Sequence, residues 1–553
     1  MFLFDFFRSF LPLSNPLGFG ASDFILLAFT FLLALAVILW RPWLEPRAAR
    51  LAERTGWCML LLAALPVVLR LALLPHHPAP SPDIYDEFGH LLVADTLRHL
   101  RLANPAHALH QFFETQFVLQ EPTYSSIYPI GQGLILALGW TLFGHPWAGV
   151  LLAVAALCAL CYWMLRAWTT PGWALAGGVL AAIEFGPLNQ WMNSYWGGAA
   201  AAAAGCLVFG ALPRLTAWAG RGPAPLLLGI GLALHLLIRP YESIFLLLAV
   251  ALFLIRSKPQ ALLKLAPMAG LPVIAALGLT LMHNRQVTGS WTTLPYTLSQ
   301  YQYGVPAALT FQPDPAPHRE LNREQGLNYK MQMSFRGLNY WQRLEYRVRY
   351  YRFFFLAPLY LALPAFFWSL REYRFVWVAL TLAAFALGTN FFPIFEPHYI
   401  AAVTCLFVLV SVTGLQQLAR LSGDAARLVV LLCVAQFVFW YSMHVFDTQE
   451  FSMAVRRYET WDGLNHRNPA MRIAVNQQIE SLSGKLLVFV HYYPQHIFQE
   501  EWVYNRAGID GSRVVWARDL GPEENEKLRA YYKDRSVWLL EPDFRPPRFR
   551  PYP

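Results

Sequence analysis

The sequence predicts an α-helical polytopic membrane protein with about twelve transmembrane helices, interfacial helices on its outer face, and a small soluble α/β domain at its C-terminal end. Three observations carry this reading. Hydrophobic residues make up 56% of the chain and charged residues only 14%, whereas soluble domains carry roughly 25% charged residues. Apolar runs near the length needed to cross a bilayer, about 17–25 residues, recur along most of the chain. Every second connection between these runs is short and basic.

The apolar runs fall at 23–40, 57–75, 147–166, 172–188, 197–213, 224–238, 243–256, 265–282, 351–369, 375–392, 399–418 and 428–446. The basic connections hold Arg41, Arg47, Arg50 and Arg54; Arg166; Arg214 and Arg221; Arg256, Lys258 and Lys264; Arg371 and Arg374; and Arg420 and Arg427. Positive charge flanking spans is retained in the cytoplasm. The long connections 76–146 and 283–350, both termini and the region after 446 are therefore expected on the periplasmic or luminal side, as for a protein of the bacterial inner membrane. Tyr128–Trp147 is apolar too, but counting it as a span would reverse the alternation downstream. It is expected to insert halfway from the outer face. Within the first long loop, Leu91, Leu92, Ala94, Leu97 and Leu100 recur at helical spacing, and Phe112, Phe113 and Phe117 mark a second amphipathic stretch over His107–Leu119. Both are expected to lie along the membrane interface.

Residues 1–446 thus form the membrane domain and 447–553 a soluble one. The latter carries short β-type runs at Leu486–Tyr492, Trp502–Tyr504, Val514–Trp516 and Val537–Leu540, with a charged helix at Pro522–Tyr532. The proline-rich end, RPPRFRPYP, is expected to be extended or disordered.

Composition also narrows function. The net charge of +9 is dispersed between the apolar runs, which suits orientation signals and not a nucleic-acid footprint. All six cysteines lie in or beside apolar runs, so no disulfide framework is expected, and Cys158-x-x-Cys161 reads as small apolar helix residues. His76-His77 with Asp83 does not have a metal-ligand spacing, and no metal or cofactor is expected. The N-terminus, MFLFDFF, has no basic region ahead of its apolar stretch, so no cleavable signal peptide is expected.

The stretch richest in chemistry is Ser81–His90, SPDIYDEFGH, directly after the second apolar run. Asp83, Asp86 and Glu87 sit at the mouth of a membrane helix. Carboxylates placed there either cap a helix N-terminus, where they are favoured anyway, or serve a reaction at the bilayer surface.

IYDEFGHLLVADTL resembles the Asp-Glu segment of the GT-C glycosyltransferases, in particular the protein O-mannosyltransferase and aminoarabinose-transferase superfamily. YPIGQGLILALGWTLFG resembles that superfamily's Pro-Pro-Leu segment, and HYIAAV at His398–Val403 resembles the aromatic start of a late span. The likeness covers about residues 57–420. It departs at Tyr128-Pro129-Ile130, which lacks the usual basic residue and second proline. The resemblance implies a GT-C-like fold and transfer of a sugar, usually with inversion, from a polyprenyl-phosphate donor to a glycan, lipid or protein acceptor on the outer face.

Such a transfer needs a base for the acceptor, cations for the departing phosphate and an apolar groove for the prenyl chain. Asp86 is the candidate base, with Glu87 orienting it or the acceptor. His90 shares a helix face with both, at i, i+4 and i, i+3. Tyr128 falls in the second motif. Arg239, in a tight turn beside Glu242, is placed to meet a phosphate or simply to pair with Glu242. Arg285 opens the second long loop, and His398 and Tyr399 open a late span. Asn193 and Tyr195, in NSYWGG, suit sugar contact, while the adjacent glycines also suit helix packing. The run Arg343, Arg347, Arg349 and Arg352 is expected to meet anionic headgroups. Two other classes fit the same composition. A flippase or transporter would place ionisable groups such as Glu184 within its spans, and an assembly protein would tolerate loss of Asp86 and Glu87.

Overall fold

The computed structural model describes residues 21–216, 222–257, 262–446, 464 and 469–553. Every predicted apolar run but one forms an α-helix. Backbone polar groups in lipid must be satisfied within the segment, so long apolar runs fold as helices. Among the described residues, seven helical segments are long and apolar enough to cross a membrane: Phe24–Ala52, Thr55–Ala72, Trp147–Leu165, Gly198–Thr216, Pro267–Thr288, Pro397–Leu421 and Gly423–Phe446. Shorter apolar helices run over Ala224–Ile238, Ser243–Arg256 and Tyr373–Thr389, and Pro171–Glu184 is a further helix of 14 residues.

The exception is 351–369. It forms three successive 3₁₀ segments, Arg349–Phe354, Ala357–Leu361 and Leu363–Arg371. Pro358 and Pro364 start the second and third, and each proline lacks the N–H that a continuous helix would need. Its first part packs inside the bundle, where Phe353 and Phe354 are buried, whereas Leu361, Phe367 and Trp368 further on are exposed.

Ile130–Phe143 is a helix of 14 residues, about 21 Å long at 1.5 Å per residue, too short for a hydrocarbon core of about 30 Å. It lies against Tyr85–Arg98, Trp147–Leu165 and Ala224–Ile238. A Cβ at Gly133 would collide with Val93, so this glycine lets the helix close onto the Asp86 helix. The Ala-rich face of Gly198–Thr216 is buried throughout, and Gly205 meets the Ala402 carbonyl. Small residues allow that backbone approach.

The first long loop forms the expected helix, Tyr85–Arg98. The second amphipathic stretch differs from expectation. It contains only a 3₁₀ turn, His110–Phe113, followed by Val118–Leu119, the edge of a small antiparallel sheet with Thr123–Ser126. Phe112 and Phe113 are buried against the C-terminal domain, not laid on lipid.

That domain is a four-stranded sheet ordered Val514–Arg518, Leu486–Val490, Ser536–Glu541, Arg548–Pro551. The first three strands are parallel and the last is antiparallel. Alternation along Leu486–Val490 divides its faces. Leu486, Val488 and Val490 pack with Val475 and Ile479 of the helix Ala470–Ser481. Leu487 and Phe489 pack with Leu528 of the helix Pro522–Tyr531, and in the same cluster with Leu92, Phe112, Phe113 and Tyr124 of the first long loop. The tail and the loop therefore share one core. Trp502–Tyr504 is not a strand. The proline-rich end is ordered as the outermost strand, a position where a missing N–H costs no ladder bond.

Candidate active site

The Asp86 helix begins at Ile84, which has an extended backbone and no oxygen on its side chain to cap the first turn. Glu87 supplies the cap instead. Its Oε2 accepts the backbone N–H of Asp83 at 2.8 Å and of Ile84 at 3.4 Å, while Oε1 accepts that of Tyr195 at 3.0 Å. Glu87 is 2% exposed, so its carboxylate ties this helix to the loop ahead of Gly198–Thr216.

With Glu87 turned back, its neighbour Asp86 projects elsewhere and accepts a hydrogen bond from the Tyr128 hydroxyl. One turn on, the His90 ring lies 4.4 Å from that of Tyr128, and its Nδ1 is buried with no partner among the described residues. Burial, aided by Arg239, pulls His90 down to about 3, so it stays neutral. Burial and then Asp86 hold the Tyr128 hydroxyl well above its ordinary range.

Arg239 ends the helix Ala224–Ile238. Its guanidinium stands over the Tyr399 ring at 4.6 Å and its Nη1 lies 3.9 Å from Glu242 Oε1. Burial raises Glu242, and Arg239 opposes that shift. His398, beside Tyr399, meets Trp196 edge-on at 5.3 Å. Tyr296 registers both halves of the cluster. Burial raises its hydroxyl most, followed by Tyr399 and Glu242; Arg239 opposes the shift and Asp86 adds to it.

Asp86, His90, Tyr128, Arg239, Glu242 and Tyr399 thus come together, with His398 at the edge. The remaining candidates are placed otherwise. Asn193 accepts from buried Arg70 Nε at 2.7 Å and donates to the Pro187 and Asn189 carbonyls, each at 2.9 Å. The Tyr195 hydroxyl donates to the Pro80 carbonyl at 2.8 Å. Both side chains brace the loop. Arg285 donates to the Gly289 carbonyl at the end of its own helix and is exposed. Arg343 and Arg347 are buried, not turned to headgroups. Arg347 donates to the carbonyls of Thr389 at 2.7 Å, Phe392, and Ile394 at 3.2 Å.

Sequence reasoning missed Tyr85, Tyr296 and Tyr504. Tyr85 adjoins the acidic pair and was within reach of inspection. Tyr296 and Tyr504 join the cluster from distant segments without a local signal. Tyr504 stacks on Phe88 at 4.3 Å, bringing the tail alongside the Asp86 helix.

No family model matches the chain, and no curated protein sequence matches it. Among solved structures, ArnT from Cupriavidus metallidurans in the apo state aligns with a TM-score of 0.50 over 88% of this chain and 93% of that one, at 11% identity. The chain has the GT-C fold. The same protein bound to undecaprenyl phosphate aligns at 0.48 with 13% identity over 88% of this chain and 93% of that one. The Archaeoglobus fulgidus oligosaccharyltransferase in complex with Zn and sulfate aligns at 0.41 with 12% identity, over 88% of this chain and 67% of that one.

Proposed function

We propose that this protein is a membrane glycosyltransferase that moves a sugar from a polyprenyl-phosphate donor to an acceptor on the periplasmic face of a bacterial inner membrane. The observation that carries the reading is the pairing of Asp86, steadied by Tyr128, with a cation-bearing cluster at Arg239 within a GT-C fold.

Each residue then has a task. Asp86 takes the proton of the acceptor hydroxyl as the acceptor oxygen forms a bond to the anomeric carbon. The bond from that carbon to the donor phosphate breaks, and the phosphate leaves with the electron pair. Arg239 meets the growing charge on the phosphate, held in place by the Tyr399 face and by Glu242. Neutral His90 is placed to accept or donate a hydrogen bond without adding charge beside the base. Glu87 is a positioning residue, because its oxygens are engaged by backbone N–H groups. Tyr399 stands under the Arg239 guanidinium, with the His398 ring edge-on to it at 4.8 Å.

The test is transfer from a polyprenyl-phosphate sugar by purified wild-type and variant protein. Asp86→Asn should lower kcat by about 10²–10⁴-fold with little change in donor KM. Arg239→Ala should raise donor KM, and Arg239→Lys should restore it only in part because the planar fork is lost. Near-normal turnover by Asp86→Asn, with matched stability, would overturn the assignment.

A further inference from the structure

A cavity of about 270 Å³ lies where the tail meets the linker into the Asp86 helix. It is lined by Asp83 on one side and by Ala470, Met471, Arg472, Glu500, Trp502 and Arg545 of the tail on the other. Resting on the glycosyltransferase reading above, we propose that this cavity is a subsite for a neutral glycan on the acceptor, formed jointly by the linker and the C-terminal domain.

The walls point to that chemistry. Arg472 is buried, with its guanidinium 4.6 Å from the Phe88 ring and 4.4 Å from the Trp502 ring, and it donates to the Glu501 carbonyl. The linker's Asp83 is close enough to influence it electrostatically. Arg545 is bound to Glu500 at 3.2 Å. Among the described residues the cavity therefore presents as many carboxylates as guanidiniums: Asp83 and Glu500 against Arg472 and Arg545. A phosphate or a sugar acid gains no net attraction from such a balanced lining. A polyhydroxylated ring does gain, because carboxylates accept from vicinal hydroxyls and guanidiniums donate to them. Trp502 and Met471 add apolar surface for the C–H face of a sugar. The volume is below the roughly 300 Å³ at which pockets for drug-sized ligands begin, which suits a sugar unit and not a prenyl chain.

Position ties the cavity to the reaction. Asp83 precedes Asp86 by three residues, just ahead of the helix, and its N–H is held by Glu87, the same carboxylate that fixes the helix. Phe88, under Arg472, also carries Tyr504, whose hydroxyl feels Asp86. A glycan seated against Asp83 would present its neighbouring unit toward Asp86. The arrangement gives the tail a part in acceptor choice and none in donor binding.

The experiment titrates the full-length protein in nanodiscs with short neutral oligosaccharides, and separately with their phosphorylated counterparts and with inorganic phosphate, by calorimetry and saturation-transfer NMR. Asp83→Ala removes the linker's carboxylate. Met471→Trp fills the cavity from a residue 38% exposed, where folding tolerates the change. The expected result is saturable binding of a neutral oligosaccharide that weakens about tenfold or more, at least 1.4 kcal/mol, in both variants, while binding of undecaprenyl phosphate is unchanged. Absence of neutral-sugar binding by the wild type, binding of phosphorylated sugars alone, or wild-type affinity in Met471→Trp would each overturn the proposal. The sugar titration needs no donor. A failure of the transferase reading would appear separately, as no transfer from a polyprenyl-phosphate sugar by the wild-type protein.

Discussion

Glu87→Gln separates a structural carboxylate from a chemical one. In the wild type the two oxygens of Glu87 accept from three backbone N–H groups, those of Asp83, Ile84 and Tyr195. Glutamine is nearly isosteric but keeps one oxygen and places an amide N–H₂ where the other stood. If the oxygen stays with Asp83 and Ile84, the Tyr195 N–H faces a donor; in the other rotamer the first turn loses its cap. A hydrogen bond to a charged group contributes about 1.5–3 kcal/mol, and a buried donor left unsatisfied costs about 1–3 kcal/mol more. These terms overlap, so the expected loss is about 2–4 kcal/mol. The assay is thermal unfolding of purified protein in detergent, paired with transfer kinetics on the folded fraction. Stability should fall and kcat should drop with it, because Asp86 is the adjacent residue, while donor KM and the pH profile of kcat hold. Unchanged stability together with a collapse of kcat would refute this reasoning and make Glu87 a participant in the chemistry.

Two further outcomes test the same cluster. Tyr128→Phe removes the hydroxyl that donates to Asp86. That bond favours the ionised carboxylate, so its loss should make Asp86 easier to protonate and move the acid limb of the kcat profile to higher pH; an unmoved acid limb would separate Tyr128 from the base. His90 is held at about 3 against an ordinary value of 6.5, so the folded state resists a proton that the unfolded chain accepts. Its contribution is present above 6.5 and is lost as pH falls toward 3, about 2 kcal/mol of it between roughly pH 7 and pH 5. In His90→Gln that part of the acid sensitivity should vanish, and an unaltered stability profile from neutral to mildly acidic pH would count against the buried, neutral imidazole.

The apolar helices were legible because lipid leaves an apolar run so few ways to satisfy its backbone. The run at 351–369 misled because hydropathy does not register that Pro358 and Pro364 break a helix that neighbours can still bury. His107–Leu119 misled for a different reason. Its phenylalanines do face an apolar surface, but that surface is Phe489 and its neighbours, nearly four hundred residues away, and not the bilayer. Asp86 stood out because two adjacent acids at a span mouth are unusual. Asn193 and Tyr195 looked equally suited to a sugar, yet Arg70 and the Pro80 carbonyl engage them. A polar side chain in a buried loop must find a partner, and sequence does not reveal whether that partner is the protein or a ligand. The same holds for Arg347, whose guanidinium meets backbone carbonyls where a lipid phosphate was expected.

The core shared by the first long loop and the tail also sets a timetable for biosynthesis. His107 meets Asp510 across 403 residues of chain. At about 5–20 residues per second, the ribosome needs roughly 20–80 seconds to make that partner after His107 has been added. During that interval Phe112 and Phe113 lack the sheet that buries them. The membrane helices can assemble in the order of synthesis, whereas the sheet that packs on the first long loop is complete only when its last strand, Arg548–Pro551, has been made. A chain stopped short of that strand would leave the shared core incomplete, so the surroundings of the Asp86 helix are finished only late in synthesis.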